Sequence, residues 1–177
     1  MSAALERVLA SDYLEGLEAR SLEELRAMRA ECEEVETGLS LLRRVVQGHL
    51  DIVDEELARR SEGGAAGDRA ALLDRLPEVL ADRVQAPGPG RLSPLLAPEE
   101  LDPQLEGELA GLVGEGAVID PSGADDDELR ALADGLRAFE GKVSAHRQSL
   151  FGLVDAVQAE IARRYRTGDA SVDTLLT

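Results

Sequence analysis

The amino-acid sequence predicts an all-α fold: an antiparallel two-helix coiled-coil hairpin with short additional helices in the connecting segment. Three observations support this prediction. Hydrophobic residues make up 44% of the chain but aromatic residues only 2%, a composition typical of long helices that pack side by side. Apolar residues recur at alternating intervals of three and four along two stretches. Those two stretches also resemble each other, which indicates that one long helix occurs twice.

The internal repeat is visible when residues 24–60 are laid on residues 128–164 without a gap. About fourteen of the thirty-seven positions then agree, far above chance for an ungapped overlay. The matches include polar residues that a coiled-coil seam does not require. Four of them lie close together in each copy: Glu36, Ser40, Arg43 and Asp51 in the first, and Glu140, Ser144, Arg147 and Asp155 in the second.

Residues 1–20 are predicted to be a short N-terminal helical segment, with one or two turns that cap the end of the long helices.

Residues 21–60 are predicted to form the first long helix. It opens with a capping box, Ser21-x-x-Glu24, and stops at Gly63 and Gly64. Its seam is Leu25, Met28, Cys32, Val35, Leu39, Leu42, Val46, His49 or Leu50, and Val53.

Residues 61–124 change character and predict a partly ordered connector with short helices that pack on the ends of the long pair or on a partner. A helical pattern at 68–83 is interrupted by Pro77, and 85–90 is rich in proline and glycine. A second short helix is predicted to start at Pro98 and to reach Leu112 or Val113.

We predict that residues 125–165 form the second long helix and that residues 166–177 form a flexible tail. Acidic residues at 125–128 favour the helix start. The seam residues are Leu129, Leu132, Leu136, Phe139, Val143, His146, Leu150, Leu153 and Val157.

The repeated polar residues form a stripe beside the seam. With Leu25 as heptad position a, Glu36 and Arg43 fall at position e, and Ser40 and Gln47 at position b. In an antiparallel pair the e positions of the two helices are neighbours, whereas in a parallel pair they lie on opposite sides. If the two stripes form one site, the hairpin is therefore antiparallel, and the site suits a ligand with two-fold symmetry.

The side chains of the stripe limit the kinds of ligand that it could bind. Arginine can hold guanine O6 and N7, or a phosphate, through two hydrogen bonds, and carboxylates can accept from the guanine N1 and N2 hydrogens. Serine offers a compact phosphate contact. We expect Arg44, Lys142 and His146 to lie near enough to add a positive field.

Glu-x3-Ser-x2-Arg-x3-Gln-x3-Asp, once on each helix, resembles the signature of the RsiG-type anti-sigma factors of actinobacteria. The resemblance implies binding of cyclic di-GMP, as a pair of molecules, and ligand-dependent sequestration of a WhiG-type sigma factor, which represses late sporulation genes. The implied ligand-binding residues are Glu36, Ser40, Arg43, Gln47, Asp51, Glu140, Ser144, Arg147 and Asp155. Phe151 stands where the second glutamine is expected, and its ring either stacks or merely packs.

Composition and charge exclude several other classes of protein. The formal net charge of −17 argues against direct DNA binding through a broad basic face. The single Cys32 can form neither an internal disulfide nor a multi-cysteine metal site. We predict a cytoplasmic protein, because no secretory signal or membrane span is visible. No nucleophile–base pair, metal constellation or phosphate-cradling glycine loop is present, so we expect no enzyme.

Other interpretations stay open at this point. Charged stripes beside a heptad seam commonly only solvate a coiled coil or form ion pairs between its helices, as in a nucleotide-independent adaptor or structural protein. A ligand-dependent homodimer is another possibility. His49 and His146, at seam positions, are more typical of the edge of the core than of a ligand site, and Cys32 is typical of a small core residue.

Overall fold

The structure, a computed structural model, describes residues 2–65, 68–84, 101–114 and 121–168. Within these ranges the chain forms α-helices and short 3₁₀ turns and no β-strand, so the all-α prediction is confirmed. The helices are α1 (Ala3–Val8), α2 (Leu22–Ser61), α3 (Arg69–Val84), α4 (Pro103–Val113) and α5 (Asp126–Thr167), and the 3₁₀ turns are Leu17–Ala19 and Pro121–Gly123.

The long helices α2 and α5 pack against each other in opposite directions. Arg26, near the start of α2, contacts Tyr165 at the end of α5. In the middle Arg43 contacts Glu140, and at the end of α2 Arg60 lies 3.0 Å from the first residue of α5, Asp126. As the residue number rises along α2 it falls along α5, which confirms the antiparallel hairpin.

Local sequence explains where both long helices begin and end. Ser21 with Glu24 and Asp125 with Glu128 form capping boxes, in which the cap side chain accepts a backbone N–H and the glutamate accepts from the cap backbone. At the other end, Gly63 follows α2 with a φ of 94° and Gly168 follows α5 with a φ of 80°. Glycine adopts such angles without strain, and this stops each helix.

The predicted heptad seam is the core of the hairpin. Burying aliphatic side chains between two helices stabilises the fold by about 1.5–3 kcal/mol per side chain. The seam residues that are buried are Leu25, Met28, Cys32, Leu39, Leu42, Val46, both His49 and Leu50, and Val53 on α2, and Leu129, Leu136, Phe139, Val143, Leu150 and Val157 on α5.

The shorter helices lie along one flank of the hairpin. With Leu25 and Leu129 as position a, their polar contacts with the long helices fall at c and g positions. Arg7 of α1 pairs with Glu31, Arg75 of α3 with Glu55 at 3.0 Å, and Glu108 of α4 with Lys142. The stripe at e and b positions therefore occupies the opposite flank.

The N-terminal segment differs from the prediction that it caps the end of the long helices. Helix α1 lies beside Glu31, well inside α2, because its buried Leu5 and Val8 pack against the core. Only the turn Leu17–Ala19 reaches the end of the hairpin, where Arg164 donates to the carbonyl of Leu17 at 3.0 Å.

The connector also differs in detail. Helix α3 runs through Pro77, so the predicted interruption there is wrong, although the proline cannot donate a backbone hydrogen bond to the preceding turn. Helix α4 is started by a proline, but by Pro103: the side chain of Asp102 caps it by accepting from the amides of Gln104 and Leu105. The helix ends at Val113, as predicted, and packs along α5 rather than at its end.

Some predictions fall on residues that lie outside the described ranges: the glycine- and proline-rich stretch 85–90, the helix start at Pro98, and residues 169–177 of the tail. Among the described helices, none carries an apolar stretch that could cross a lipid bilayer.

Candidate functional site

The two polar stripes meet on one side of the hairpin, as the antiparallel arrangement predicts. The surface that they form is called the polar face below. It consists of Glu36, Ser40, Arg43 and Gln47 from α2 and Glu140, Ser144, Arg147 and Phe151 from α5.

Two reciprocal ion pairs join the helices across the polar face. Arg43 Nε donates to Glu140 Oε1 at 2.6 Å. Arg147 donates to Glu36 Oε1 through Nε at 3.0 Å and Nη2 at 2.8 Å. Because Glu36 corresponds to Glu140 and Arg43 to Arg147 in the repeat, a local two-fold axis relates the two pairs.

Each glutamate also accepts a hydrogen bond from the serine one turn further along its own helix. Ser40 Oγ donates to Glu36 Oε1 at 2.6 Å, and Ser144 Oγ donates to Glu140 Oε1 at 3.1 Å. Ser144 Oγ additionally accepts from Arg43 Nε at 3.0 Å. The serines therefore fix the glutamate side chains that hold the arginines.

The Glu140 carboxylate is held in its ionised form. Burial raises its pKa, but the hydrogen bonds from Arg43, Ser144 and Gln47 and the charge of Arg43 outweigh burial, so the pKa lies below its usual value. Gln47 contributes through Nε2, which lies 3.3 Å from Glu140 Oε1.

The polar face keeps unused hydrogen-bonding groups that point to solvent. Within the described residues, both glutamates accept only through Oε1, so Oε2 of Glu36 and Oε2 of Glu140 make no hydrogen bond. Arg43 donates only through Nε, and Nη1 of Arg147 also makes no hydrogen bond in that part of the chain. The four side chains are 16–36% exposed, so a ligand could reach all of these groups.

Phe151, the departure from the repeat, lies on the polar face with 44% of its surface exposed. The guanidinium carbon of Arg147 lies over the ring, 5.4 Å from its centroid. This distance is within the range of a cation–π contact. The ring therefore stacks with arginine instead of packing into the core.

The two aspartates of the repeat are not equivalent in the structure. Asp51 is half-buried one turn beyond Gln47 on α2. Asp155 is exposed, and it forms no ion pair or hydrogen bond with any other described residue. The structure thus unites the glutamates, serines and arginines of both copies and leaves Asp155 at the margin.

The additional positive field that the sequence predicted is largely absent from this surface. Lys142 lies on the opposite flank and pairs with Glu108. His146 is a half-buried seam residue whose pKa is lowered by burial and by the charge of Lys142, with Asp102 acting the other way. Arg44 is exposed at an f position. Residues three and four apart are neighbours on a helix surface, so Arg44 borders Ser40 and Gln47. The cations of the polar face are therefore Arg43 and Arg147, with Arg44 at its edge.

The sequence repeat also includes a second set of charges, at the two ends of the hairpin, whose role sequence reasoning did not predict. These sets, called the end clamps below, are Glu56 with Arg59 and Arg60, and Glu160 with Arg163 and Arg164. The identical Glu-x-x-Arg-Arg is visible in both copies, but the repeat alone does not show that these arginines bind backbone carbonyls.

The end clamps hold the backbone where the chain enters the opposite long helix. Arg60 donates to the carbonyls of Ala124 at 2.8 Å and Pro121 at 3.2 Å, just before α5. Arg164 donates in the same way to the carbonyls of Leu17 and Glu18, just before α2. Hence the clamps have a structural role, and the polar face between them is the candidate site.

No other feature of the described residues competes with the polar face. A groove of about 490 Å³ between α1, α2 and the start of α4 lies on the opposite flank and is lined largely by apolar side chains such as Leu5, Leu39 and Leu42. No three His, Cys, Asp or Glu side chains in the described ranges are arranged to hold a metal ion.

Comparison with known proteins agrees with this view of the repeat. A search of curated proteins finds no match. A family model described as RsiG-like matches residues 11–80 and 115–177, which include both polar stripes and both end clamps. That family suggests an anti-sigma factor and, in general terms, a sigma factor as partner. The chain belongs to the RsiG-like family.

Proposed function

We propose that this anti-sigma factor binds cyclic di-GMP on the polar face and, together with it, sequesters a WhiG-type sigma factor, so that late sporulation genes are repressed. The observation that carries the proposal is the meeting of two Glu–Ser–Arg sets around a local two-fold axis, with free donors and acceptors on the exposed side. We further propose that the protein acts in the cytoplasm by binding alone, without catalysis.

The symmetry and chemistry of the polar face match those of cyclic di-GMP. This ligand is two-fold symmetric and carries two guanines and two phosphates. The free Nη groups of Arg43 and Arg147 suit guanine O6 and N7 or a phosphate, and the free Oε2 atoms of Glu36 and Glu140 suit the guanine N1 and N2 hydrogens. Each half of the ligand then meets one arginine and one glutamate, although the described residues leave both Nη groups of Arg43 unused and only Nη1 of Arg147.

The charge of the whole chain and the charges on the polar face act differently on an anionic ligand. A formal net charge of −17 repels an anionic ligand at long range. Charges more than about 8–10 Å apart are screened at physiological salt, so a ligand on the polar face would sense mainly Arg43, Arg147 and the two glutamates paired with them. About four bidentate contacts of about 1–3 kcal/mol each could reach the ~8 kcal/mol of a micromolar complex before ordering costs are subtracted.

The proposed ligand also serves as part of the protein–protein interface. The charged side chains of the polar face are 16–36% exposed on the surface of the hairpin, so a pair of cyclic di-GMP molecules bound there would remain exposed on one side. The sigma factor would cover that side, and the affinity of the complex would depend on the cellular level of the nucleotide, because ligand and partner stabilise each other's binding.

Isothermal titration calorimetry with cyclic di-GMP, with and without the sigma factor, tests the proposal. We expect binding that strengthens when the sigma factor is present. Arg43→Ala and Arg147→Ala should each weaken nucleotide binding more than tenfold. The matched control is Arg137→Ala: Arg137 lies on the same flank but pairs with Asp54 outside the polar face, so its loss should leave binding unchanged. Absence of heat in both titrations would reject the proposal.

A nucleotide-independent adaptor is the second candidate function. One observation favours it: both interhelix ion pairs are complete without any ligand, as expected of pairs that only stabilise a coiled coil. This candidate predicts sigma-factor binding of equal affinity with and without nucleotide. The same titrations separate the two functions.

A further inference from the structure

We propose that Phe151 is a stacking surface for a purine base of the bound nucleotide, so that the two halves of the polar face bind the ligand unequally. The inference rests on the proposed function and deepens it. It concerns a residue at which this chain departs from its own repeat.

Phe151 and Gln47 occupy equivalent positions with different environments. Gln47 is half-buried and donates a hydrogen bond to Glu140 across the hairpin. Phe151 cannot donate one, and 44% of its surface is exposed. The local two-fold axis therefore relates an amide on α2 to an aromatic ring on α5.

Phe151 is unusual in this chain because it is an exposed aromatic residue on a polar surface. The sequence has only two phenylalanines, and the other one, Phe139, is 3% exposed in the core. Among the described residues, the other exposed large apolar side chains are Val45 and Leu73. Val45 occupies a g position on the flank of the short helices, and Leu73 lies on α3, so neither belongs to the polar face.

The surroundings of the ring favour a planar, polar ligand over a purely apolar partner. Arg147 lies over the ring and is held there by its ion pair with Glu36. Arg147 thus covers one face of the ring, so a base would stack on the other face, beside an arginine whose Nη1 makes no hydrogen bond with the described residues. A purine presents a π face together with hydrogen-bond acceptors and donors at its edge.

The consequence is a site with two unlike halves. The half that contains Phe151 offers stacking in addition to the arginine and the glutamate, whereas the half that contains Gln47 offers one more polar group in place of the ring. Base–aromatic stacking contributes enough affinity that removing the ring should weaken binding about fivefold to hundredfold.

The test begins with calorimetry of the unmodified protein and cyclic di-GMP. If that protein binds, Phe151→Ala should bind about fivefold to hundredfold more weakly, and Phe151→Leu, which keeps apolar bulk without a ring, should lose nearly as much. Leu73→Ala removes an exposed apolar side chain away from the polar face and is the matched control. A thermal melt checks that each variant is folded.

Tryptophan fluorescence gives an independent measurement. The chain contains no tryptophan, so Phe151→Trp places a single tryptophan at the proposed stacking position. We expect binding retained and fluorescence quenched on addition of cyclic di-GMP, because a stacked guanine quenches indole emission.

The possible failures are distinguishable. If the unmodified protein does not bind cyclic di-GMP, the proposed function falls and the stacking role falls with it. If it binds and Phe151→Ala binds equally well, or the tryptophan signal does not change, only the stacking role is overturned. Loss of sigma-factor capture by Phe151→Ala with normal nucleotide affinity would likewise overturn it, and would assign the ring to the protein partner.

Discussion

Glutamate–arginine pairs occur twice in each half of this hairpin, once on the polar face and once at the end clamps, and the two settings differ in burial. In the clamp at the end of α2, Glu56 is fully buried and the side chains of Arg59 and Arg60 are 6% exposed. On the polar face Arg43 is 36% and Glu140 22% exposed. The clamp pairs lie within one helix, whereas the pairs of the polar face join the two helices.

This difference in burial indicates that the glutamate–arginine pairs of the clamps are structural, whereas those of the polar face can bind a ligand. Both carboxylate oxygens of Glu56 accept from arginine, and the arginines donate onward to backbone carbonyls, so the clamp has little capacity left for a ligand. On the polar face one oxygen of each glutamate is unused by the described residues. A buried charge must be satisfied by the protein, whereas a half-exposed one can exchange partners with a ligand.

The largest expected effect on the free energy of unfolding follows from removing a clamp carboxylate. Glu56→Ala removes the carboxylate that pairs with the buried Arg59 and leaves the buried Arg60 with the half-exposed Asp126 as its remaining carboxylate partner. Removing one partner of a buried ion pair costs about 3–5 kcal/mol. We therefore expect the free energy of unfolding to fall by about that amount, measured by urea denaturation.

The control for this prediction is an exposed pair of the same chemistry. Asp54→Ala breaks the contact with Arg137, in which both side chains are about half exposed, and we expect a loss of about 1 kcal/mol or less. Equal losses for Glu56→Ala and Asp54→Ala would show that burial does not set the clamps apart.

A smaller effect is expected at the other clamp, where Arg163 is 44% exposed, and it should depend on pH. Hydrogen bonds from Arg163 and Arg164 lower the pKa of Glu160 from 4.5 to about 2. A pKa that is lower in the folded state stabilises the fold fully above the unfolded pKa, and this stabilisation is lost as the pH falls from about 4.5 to about 2.

Glu160→Gln removes this dependence. The difference in unfolding free energy between the unmodified protein and this variant should be constant from pH 7 to about 5 and should shrink toward pH 2.5. Urea denaturation at a series of pH values measures it. A difference that stays the same down to pH 2.5 would contradict the lowered pKa of Glu160.

The sequence predicted the polar face more completely than it predicted the end clamps or the position of α1. Arg43 and Arg147 at e positions of matched heptads required an antiparallel pair if they were to meet, and seam periodicity constrains the facing positions of two helices. The burial of Glu56 depends on the backbone around Pro121 and Ala124 crossing the end of α2, and no periodic pattern encodes such a crossing. The position of α1 beside Glu31 was missed for the same reason.

The smallest expected effect bears most directly on the choice between a ligand site and a plain coiled-coil contact. In a double-mutant cycle of Arg43→Ala and Glu140→Ala, we expect a coupling free energy of about 1 kcal/mol or less, because both side chains are partly exposed and salt screens them. A coupling of this size would add little to the free energy of unfolding beside the buried seam residues. Together with a loss of nucleotide binding in each single variant, it would favour a ligand as the partner of the polar face. A coupling of several kcal/mol, with nucleotide binding unchanged, would instead assign the two pairs to holding the helices together and would favour the adaptor.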